Sequence, residues 1–224
     1  MKDLEAFLLQ SGASSIGYTL VPQKWIFRDK AILYTNAIMM SMEMDKPRID
    51  TAPSNPALMA VLEIYRDLGK IANRAADYLR KRGFAAHAGH PLNGLTLYPP
   101  LSQMAGLGWL GGNGLIITPE HGPRVRLAAI FTSIQNLPFN TENEHSWVAE
   151  FCKKCQLCVN KCPTEAIMED PIVSEHGQIS YVINKRCFPY FSDFFGCSVC
   201  IKVCPFSTTD YTIIEDRFQS SVKK

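Results

Sequence analysis

The chain has 224 residues, of which 46% are hydrophobic and 20% charged, an ordinary globular mixture long enough for one sizeable core or a medium domain plus a small one. Its formal charge of +2, from 23 basic and 21 acidic residues, excludes the concentrated basic composition of a nucleic-acid binder, so nucleic acid is not an expected partner. No run approaches the ~20 apolar residues of a membrane span, and the short apolar stretch beside Asp3 and Glu5 is no secretory signal, so the expected location is the cytoplasm.

In chain order, Leu4, Phe7 and Leu8 share one face of a short amphipathic helix over residues 4–10, with Gly12 as its stop. "SSIGYTLVP" reads as a strand. "AILYTNAIMMSMEM" fits neither the helical nor the strand period. A long helix follows, capped by Ser54 or Asn55, with Pro56 in its first turn. Its apolar stripe is Leu58, Val61, Leu62, Tyr65, Leu68, Ile71, Ala72, Ala75 and Leu79, and it ends at Gly83. "FAAHA", "GLIIT" and "VRLAAIFT" are strand-like. The fold class expected is therefore α+β.

Between them lies "AGLGWLGGNGLIITPEHGPRVR", residues 105–126, with a Gly106-x-Gly108-x-x-Gly111 spacing. A dinucleotide fingerprint must follow a strand, open a helix and find an acidic residue about 20 positions on. Here "YPPLSQMA" precedes the glycines, a turn into a strand follows, and Glu120 and Glu142 lie at the wrong distances, which excludes NAD. Two readings stay open: tight turns that need positive φ, or a backbone around Trp109 able to approach a flat cofactor. The second makes Gly106, Gly108, Trp109, Gly111, Gly112 and Asn113 candidate cofactor contacts.

All eight cysteines fall between Cys152 and Cys204. The polar segment 136–147 reads as a linker, giving a mixed domain 1–144, a cysteine module 145–210 and a C-terminal tail 211–224. Cys158-x-x-x-Cys162-Pro163 recurs as Cys200-x-x-x-Cys204-Pro205. The run Cys152-x2-Cys155-x2-Cys158-x3-Cys162-Pro is the bacterial two-cluster ferredoxin spacing, in which the fourth cysteine ligates the other [4Fe–4S] cluster. Cluster 1 would use Cys152, Cys155, Cys158 and Cys204, and cluster 2 would use Cys187, Cys197, Cys200 and Cys162. Two zinc sites would also consume eight thiolates, but zinc modules space them as separated C-x2-C pairs without the Cys-Pro ending. Disulfides do not suit a reducing compartment. Six basic and six acidic residues between Trp147 and Phe206 leave the module neutral before cluster charge is added.

The glycine stretch, placed ahead of a lone "KRCFPY" and "CSVCIKVCP", resembles the epoxyqueuosine reductases and, more distantly, the corrinoid-dependent reductive dehalogenases, over roughly residues 56–206. That resemblance implies a nitroreductase-like N-terminal domain holding cobalamin or another corrinoid, with a ferredoxin-like module delivering electrons to the cobalt. It also implies a low-potential donor (ferredoxin, flavodoxin or a reductase) and a small-molecule substrate or partner enzyme. The queuosine enzymes carry a catalytic aspartate and glutamate just before the glycines, and a lysine after them. Here "HPLNGLTLYPPLSQM" has no acidic residue, and Gly112 stands at the lysine's place. They are also longer, with a C-terminal extension that helps them meet tRNA. His87, His90 and Tyr98 are the candidate proton donors of the stretch. Arg124 and Arg126 suit a half-buried strand or a corrin contact, and His121, His145 and His176 read as surface residues. The alternatives to a corrinoid reductase are a non-catalytic electron carrier docking to an enzyme and a cluster-dependent sensor.

Overall fold

The computed structural model describes residues 2–175 and 177–222. In chain order the elements are α1 (Lys2–Gln10), β1 (Ser15–Leu20), β2 (Asn36–Glu43), α2 (Lys46–Ile49), α3 (Asn55–Arg80), β3 (Ala86–Gly89), α4 (Tyr98–Met104), β4 (Trp109–Leu110), β5 (Ile116–Ile117) and β6 (Val125–Thr132). They continue with α5 (Trp147–Cys155), α6 (Leu157–Asn160), β7 (Ile167–Val173), β8 (Ile179–Val182), α7 (Asn184–Asp193), α8 (Val199–Lys202) and α9 (Tyr211–Val222). They group into two compact units, one of residues 1–43, 62–107 and 125–144, the other of 44–61, 108–124 and 145–224.

The first unit is built on an antiparallel sheet of order β1-β2-β6-β3. Cross-strand partners share a face, so Tyr18, Ile38 and Ile130 point the same way; they pack with Leu4 and Leu8 of α1 and with Leu68, Ile71, Ala72 and Ala75 of α3. The opposite face carries Gly17, Met39, Ala129 and Gly89 in register, and α4 covers it. A Cβ on Gly17 would stand 2.2 Å from the Ala105 carbonyl at the end of α4, and one on Gly89 would stand 2.7 Å from the Tyr98 hydroxyl. Both faces of β2 are thus buried. This explains why "NAIMMS" shows no alternation: a strand covered on both sides has no polar face to alternate with.

The long helix forms as expected, and the Ser54 hydroxyl accepts the Ala57 amide as its cap. One member of the expected stripe differs, since Leu62 is exposed while Ala76 is buried. "YPPLSQM", read only as unable to be a central strand, is α4. Its two prolines sit in the first turn, where a missing amide costs no hydrogen bond.

In the second unit, β4 and β5 form a two-stranded hairpin and β7 and β8 another, among the short helices α2 and α5–α9 and the first turns of α3. Its core consists of Ile117, Trp147, Val148, Cys204, Phe206, Tyr211 and Ile214. The sequence repeat has a structural counterpart. Cys158 and Cys200 sit on the one-turn helices α6 and α8, each entered through a residue in the left-handed conformation, Gln156 at φ 50° and Ser198 at φ 65°. Residues 211–222, read as a tail, form a helix docked by Tyr211, Ile214 and Phe218 at i, i+3 and i+7.

Candidate iron–sulfur centres

Helix α5 carries Cys152 and Cys155 to its C-terminus, α6 adds Cys158, and Cys204 arrives just after α8. These four thiols line a single pocket together with Gly111, Gly112 and Asn113 of the β4–β5 turn. Among the described residues, no three His, Cys, Asp or Glu side chains converge as they would around a single metal ion. Four sulfurs around a shared pocket suit a cube, which holds its ligands further apart than one ion does.

Electrostatic reach groups the thiols largely, but not wholly, along the sets expected from spacing. Cys204 feels Cys152, Cys158 and Cys155, whereas Cys187 and Cys197 each feel Cys162. Cys200 feels Cys197, Cys187 and Cys162, and also Cys158 of the first set. Cys158 also feels Cys162, so the two groups of thiols lie within electrostatic reach of each other.

The surroundings of individual thiols differ, and the contrast does not follow the sets, since burial also pushes Cys200 up to about 12. Burial pushes the Cys152 thiol up to about 11, and pushes Cys204 higher, in the aromatic core. Trp147 lies 5.1 Å from Tyr211, 5.8 Å from Phe206 and 5.8 Å from Phe218, so the first set is backed by rings rather than by water. At Cys162 burial also acts upward, but donors outweigh it and bring the thiol below its ordinary value. The Ala166 amide donates to its sulfur at 3.3 Å, and the Thr164 hydroxyl lies at 3.6 Å. Such donors favour thiolate and would stabilise the reduced state of a cluster bound there. Strain collects here too: Gln156, Glu165, Phe195, Cys197 and Ser198 all hold positive φ without being glycine.

The candidate cofactor contacts divide. A Cβ on Gly106 would stand 2.0 Å from the Asn140 amide nitrogen, and one on Gly108 would stand 2.0 Å from the Ile117 carbonyl, so these glycines are closed upon by protein. Trp109, Gly111 and Gly112 line a cavity of about 130 Å³ with Cys152, Cys158, Gln156 and Tyr181. Asn113 is 5% exposed; its amide donates to the Cys200 carbonyl at 3.4 Å while its oxygen accepts the Leu115 amide. The β4–β5 turn thus touches cysteines of both groups, a placement that local spacing could not supply.

Among the candidate proton donors, Tyr98 is buried, donates to the His90 carbonyl at 3.1 Å and is pushed well above its ordinary value by burial. The exposed His90 turns its Nδ1 back to the Leu92 backbone, and His87 is exposed on β3. Arg124 is buried, and the Arg126 guanidinium lies 5.2 Å over the Tyr65 ring. His145 is not a surface residue: it is 9% exposed, and its Nδ1 lies 3.0 Å from the Tyr211 hydroxyl. The missed signal was the apolar spacing of residues 211–218, which brings a partner to it. His121 is half-buried, and His176 lies outside the described residues.

Comparison with known proteins agrees with this geometry. Residues 151–207 match the 4Fe-4S double cluster binding domain. A tetrachloroethene reductive dehalogenase of Desulfitobacterium hafniense is 30% identical over 226 residues, taking in 93% of this chain and 39% of the relative. An epoxyqueuosine reductase of Francisella cf. novicida is 26% identical over 97% of this chain and 62% of its own. The chain is similar to both enzymes along most of its own length. Its fold matches the solved catabolic reductive dehalogenase NpRdhA, in complex with 3-bromo-4-hydroxybenzoic acid, at a TM-score of 0.81 and 21% identity, over 98% of this chain and 33% of that one. The α+β expectation with a two-cluster module therefore holds, and the chain spans only 39% of the dehalogenase and 62% of the queuosine enzyme.

Proposed function

We propose that this protein is an iron–sulfur reductase that relays single electrons through two [4Fe–4S] clusters to a bound corrinoid, for reduction of a small molecule. The observation that carries the reading is a pocket shared by thiols from both ends of the module. Cys204 lines it with Cys152, Cys155 and Cys158, and crossed ligation would pair Cys162, within electrostatic reach of Cys187, Cys197 and Cys200, with those three. Crossed ligation places two cubes side by side, which a relay needs and a single storage site does not.

The residues that would hold a corrinoid edge are those of the cavity beside Cys152 and Cys158. Trp109 and Tyr181 offer flat walls, and Gly111 and Gly112 carry no side chain to hold a ring away. The Gln156 amide oxygen is buried there without a hydrogen-bond partner, and a corrin carboxamide is a donor of the kind it lacks. A bound corrinoid would supply a cobalt centre able to take electrons singly and act as a strong nucleophile. The protein's own part is to hold the thiolates, to back the first set with aromatic rings, and to fix the β4–β5 turn against both sets.

A second reading, a carrier that hands electrons to a partner enzyme, draws support from residues 90–104. That stretch has no carboxylate, and the Tyr98 hydroxyl is spent on the His90 carbonyl. No helix among the described residues is long and apolar enough to cross a membrane; the reducing cytoplasm that thiolate ligands favour is part of the proposal.

Anaerobic reconstitution separates the readings. Full-length protein should take up about eight irons as two cubes, and added cob(II)alamin should bind with a change in its EPR spectrum. Eight irons without corrinoid uptake leaves the carrier, while zinc in place of iron ends both readings.

A further inference from the structure

The connection between β1 and β2, residues 21–35, contains one 3-10 turn, Gln23–Trp25, and is otherwise irregular. Such connections are ordinarily polar, yet this one carries Trp25, Phe27 and Leu33. Leu33 is 82% exposed, the highest value among the large apolar side chains described, and Phe27 is 42% exposed. The stretch ahead of α4 joins this connection by a bridge between Ile26 and Thr96, and it adds Leu92, 57% exposed.

The backbone beneath these side chains is closed on itself. The Phe27 amide donates to the Leu95 carbonyl at 3.1 Å, and the Trp25 carbonyl accepts both the Leu97 amide at 3.1 Å and the Thr96 hydroxyl at 2.7 Å. The Val21 amide donates to the Thr35 carbonyl at 2.8 Å and shuts the base of the loop. Backbone groups that already have partners are what an apolar medium demands of a segment that meets it.

Charge is concentrated here as well. Residues 20–36 and 86–104 together hold three cations, Lys24, Arg28 and Lys30, against one carboxylate, Asp29. Their excess equals the formal +2 of the whole chain, so the remainder is balanced. Asp29 lies 3.4 Å from Lys30. Lys24, whose ammonium lies 5.6 Å from the Trp25 ring centre, and Arg28 make no ion pair among the described residues. Protein interfaces are depleted in lysine. A bilayer boundary instead takes leucine and aromatic side chains interleaved with Lys and Arg, the apolar groups at the acyl edge and the cations beside anionic headgroups.

We propose that this face of the first unit docks on an anionic lipid bilayer, with Phe27, Leu33 and Leu92 entering the acyl boundary and Lys24 and Arg28 against the headgroup phosphates. The contact is peripheral and calls for no membrane-spanning helix. It stands independently of the cluster reading, since neither segment holds a cysteine.

The experiment is flotation of the full chain, under argon, with phosphatidylcholine vesicles that contain about one-third phosphatidylglycerol and with phosphatidylcholine alone. The anionic vesicles should carry the chain upward at low ionic strength and release it in high salt, while the neutral ones carry little. Each cation near such a surface contributes about fivefold to partitioning, so the charge reversal Arg28→Glu should lower the partition coefficient by about tenfold or more. Leu33→Ser removes an inserting side chain and should lower it by about tenfold. Val173→Ser, at the 63% exposed end of β7 in the other unit, should float like the unaltered chain. Unchanged circular dichroism shows that each variant is folded. No flotation of the unaltered chain, equal binding to both kinds of vesicle, or binding indifferent to both Arg28→Glu and Leu33→Ser overturns the proposal. Self-association of the vesicle-free chain that Leu33→Ser abolishes overturns it too, because the face then belongs to a second copy.

Discussion

Trp147 offers the sharpest test of the packing behind the first thiol set. Its indole is 8% exposed and touches four rings, at 5.1 Å (Tyr211), 5.8 Å (Phe206 and Phe218) and 6.2 Å (Phe151). Truncating a buried aromatic to Ala costs about 3–5 kcal/mol, and so many ring pairs place this site in the upper half of that range. An opposing effect exists, because the Trp147 Nε1 proton is buried without a partner. Removing an unsatisfied buried donor returns about 1–3 kcal/mol. The net expectation for Trp147→Ala is a loss of about 1–4 kcal/mol, which at a urea slope near 2 kcal/mol/M lowers the midpoint of cluster loss by about 0.5–2 M. Trp147→Phe keeps a ring in the box and deletes only the unsatisfied donor with part of the indole, so its midpoint should stay within about 0.5 M. The assay is urea titration under argon, following cluster absorbance and circular dichroism together. A Phe variant as damaged as the Ala variant would show that the indole nitrogen has a partner and that the bookkeeping is wrong.

Two glycines of the loop should behave oppositely. A Cβ on Gly122, at φ +56°, would stand 2.3 Å from the Phe206 carbonyl, so Gly122→Ala should cost more than the ~1–2 kcal/mol of a left-handed residue and reduce iron content. One on Gly112 would meet Cys152 at 3.6 Å and Cys158 at 3.9 Å, ordinary contacts, so Gly112→Ala should load iron normally. Crossed ligation is checked by iron counts. Cys162→Ala with Cys187→Ala should leave about four irons, as either change alone does, whereas Cys162→Ala with Cys152→Ala should leave almost none. In alkali, Tyr18, raised by burial and by its hydrogen bond to Glu5, and Tyr98, raised by burial, stay protonated in the folded chain while unfolded phenols ionise near 10.0. The folded state then holds more protons, so stability is complete below pH 10 and falls as pH rises beyond it. Urea midpoints between pH 9 and 11 should show that fall, less steeply in Tyr98→Phe; a flat or rising profile would contradict it.

The sequence alone determined what depends on local order along the chain. The thiol spacing, with its Cys-Pro repeat, pointed to eight candidate ligands in two crossed sets, because a turn of backbone places residues three and four apart around a common centre. The long helix was legible because its apolar stripe follows the 3.6-residue period over 26 residues. Strand β2 was not, since a strand buried on both faces leaves no pattern to read.

Tertiary structure decided what depends on segments far apart in the chain. Gly106, Gly108, Gly111 and Gly112 look alike in sequence, yet Asn140 closes over Gly106 and Ile117 over Gly108 and Gly111, while Gly112 borders the side chains of Cys152 and Cys158. His145 became a buried residue only when Tyr211 was brought beside it, 66 positions later. The surface around Trp25 exists only because residues 95–97 return to it. Burial and partnership are properties of neighbours in space, and no period along the chain encodes which distant residue will supply them.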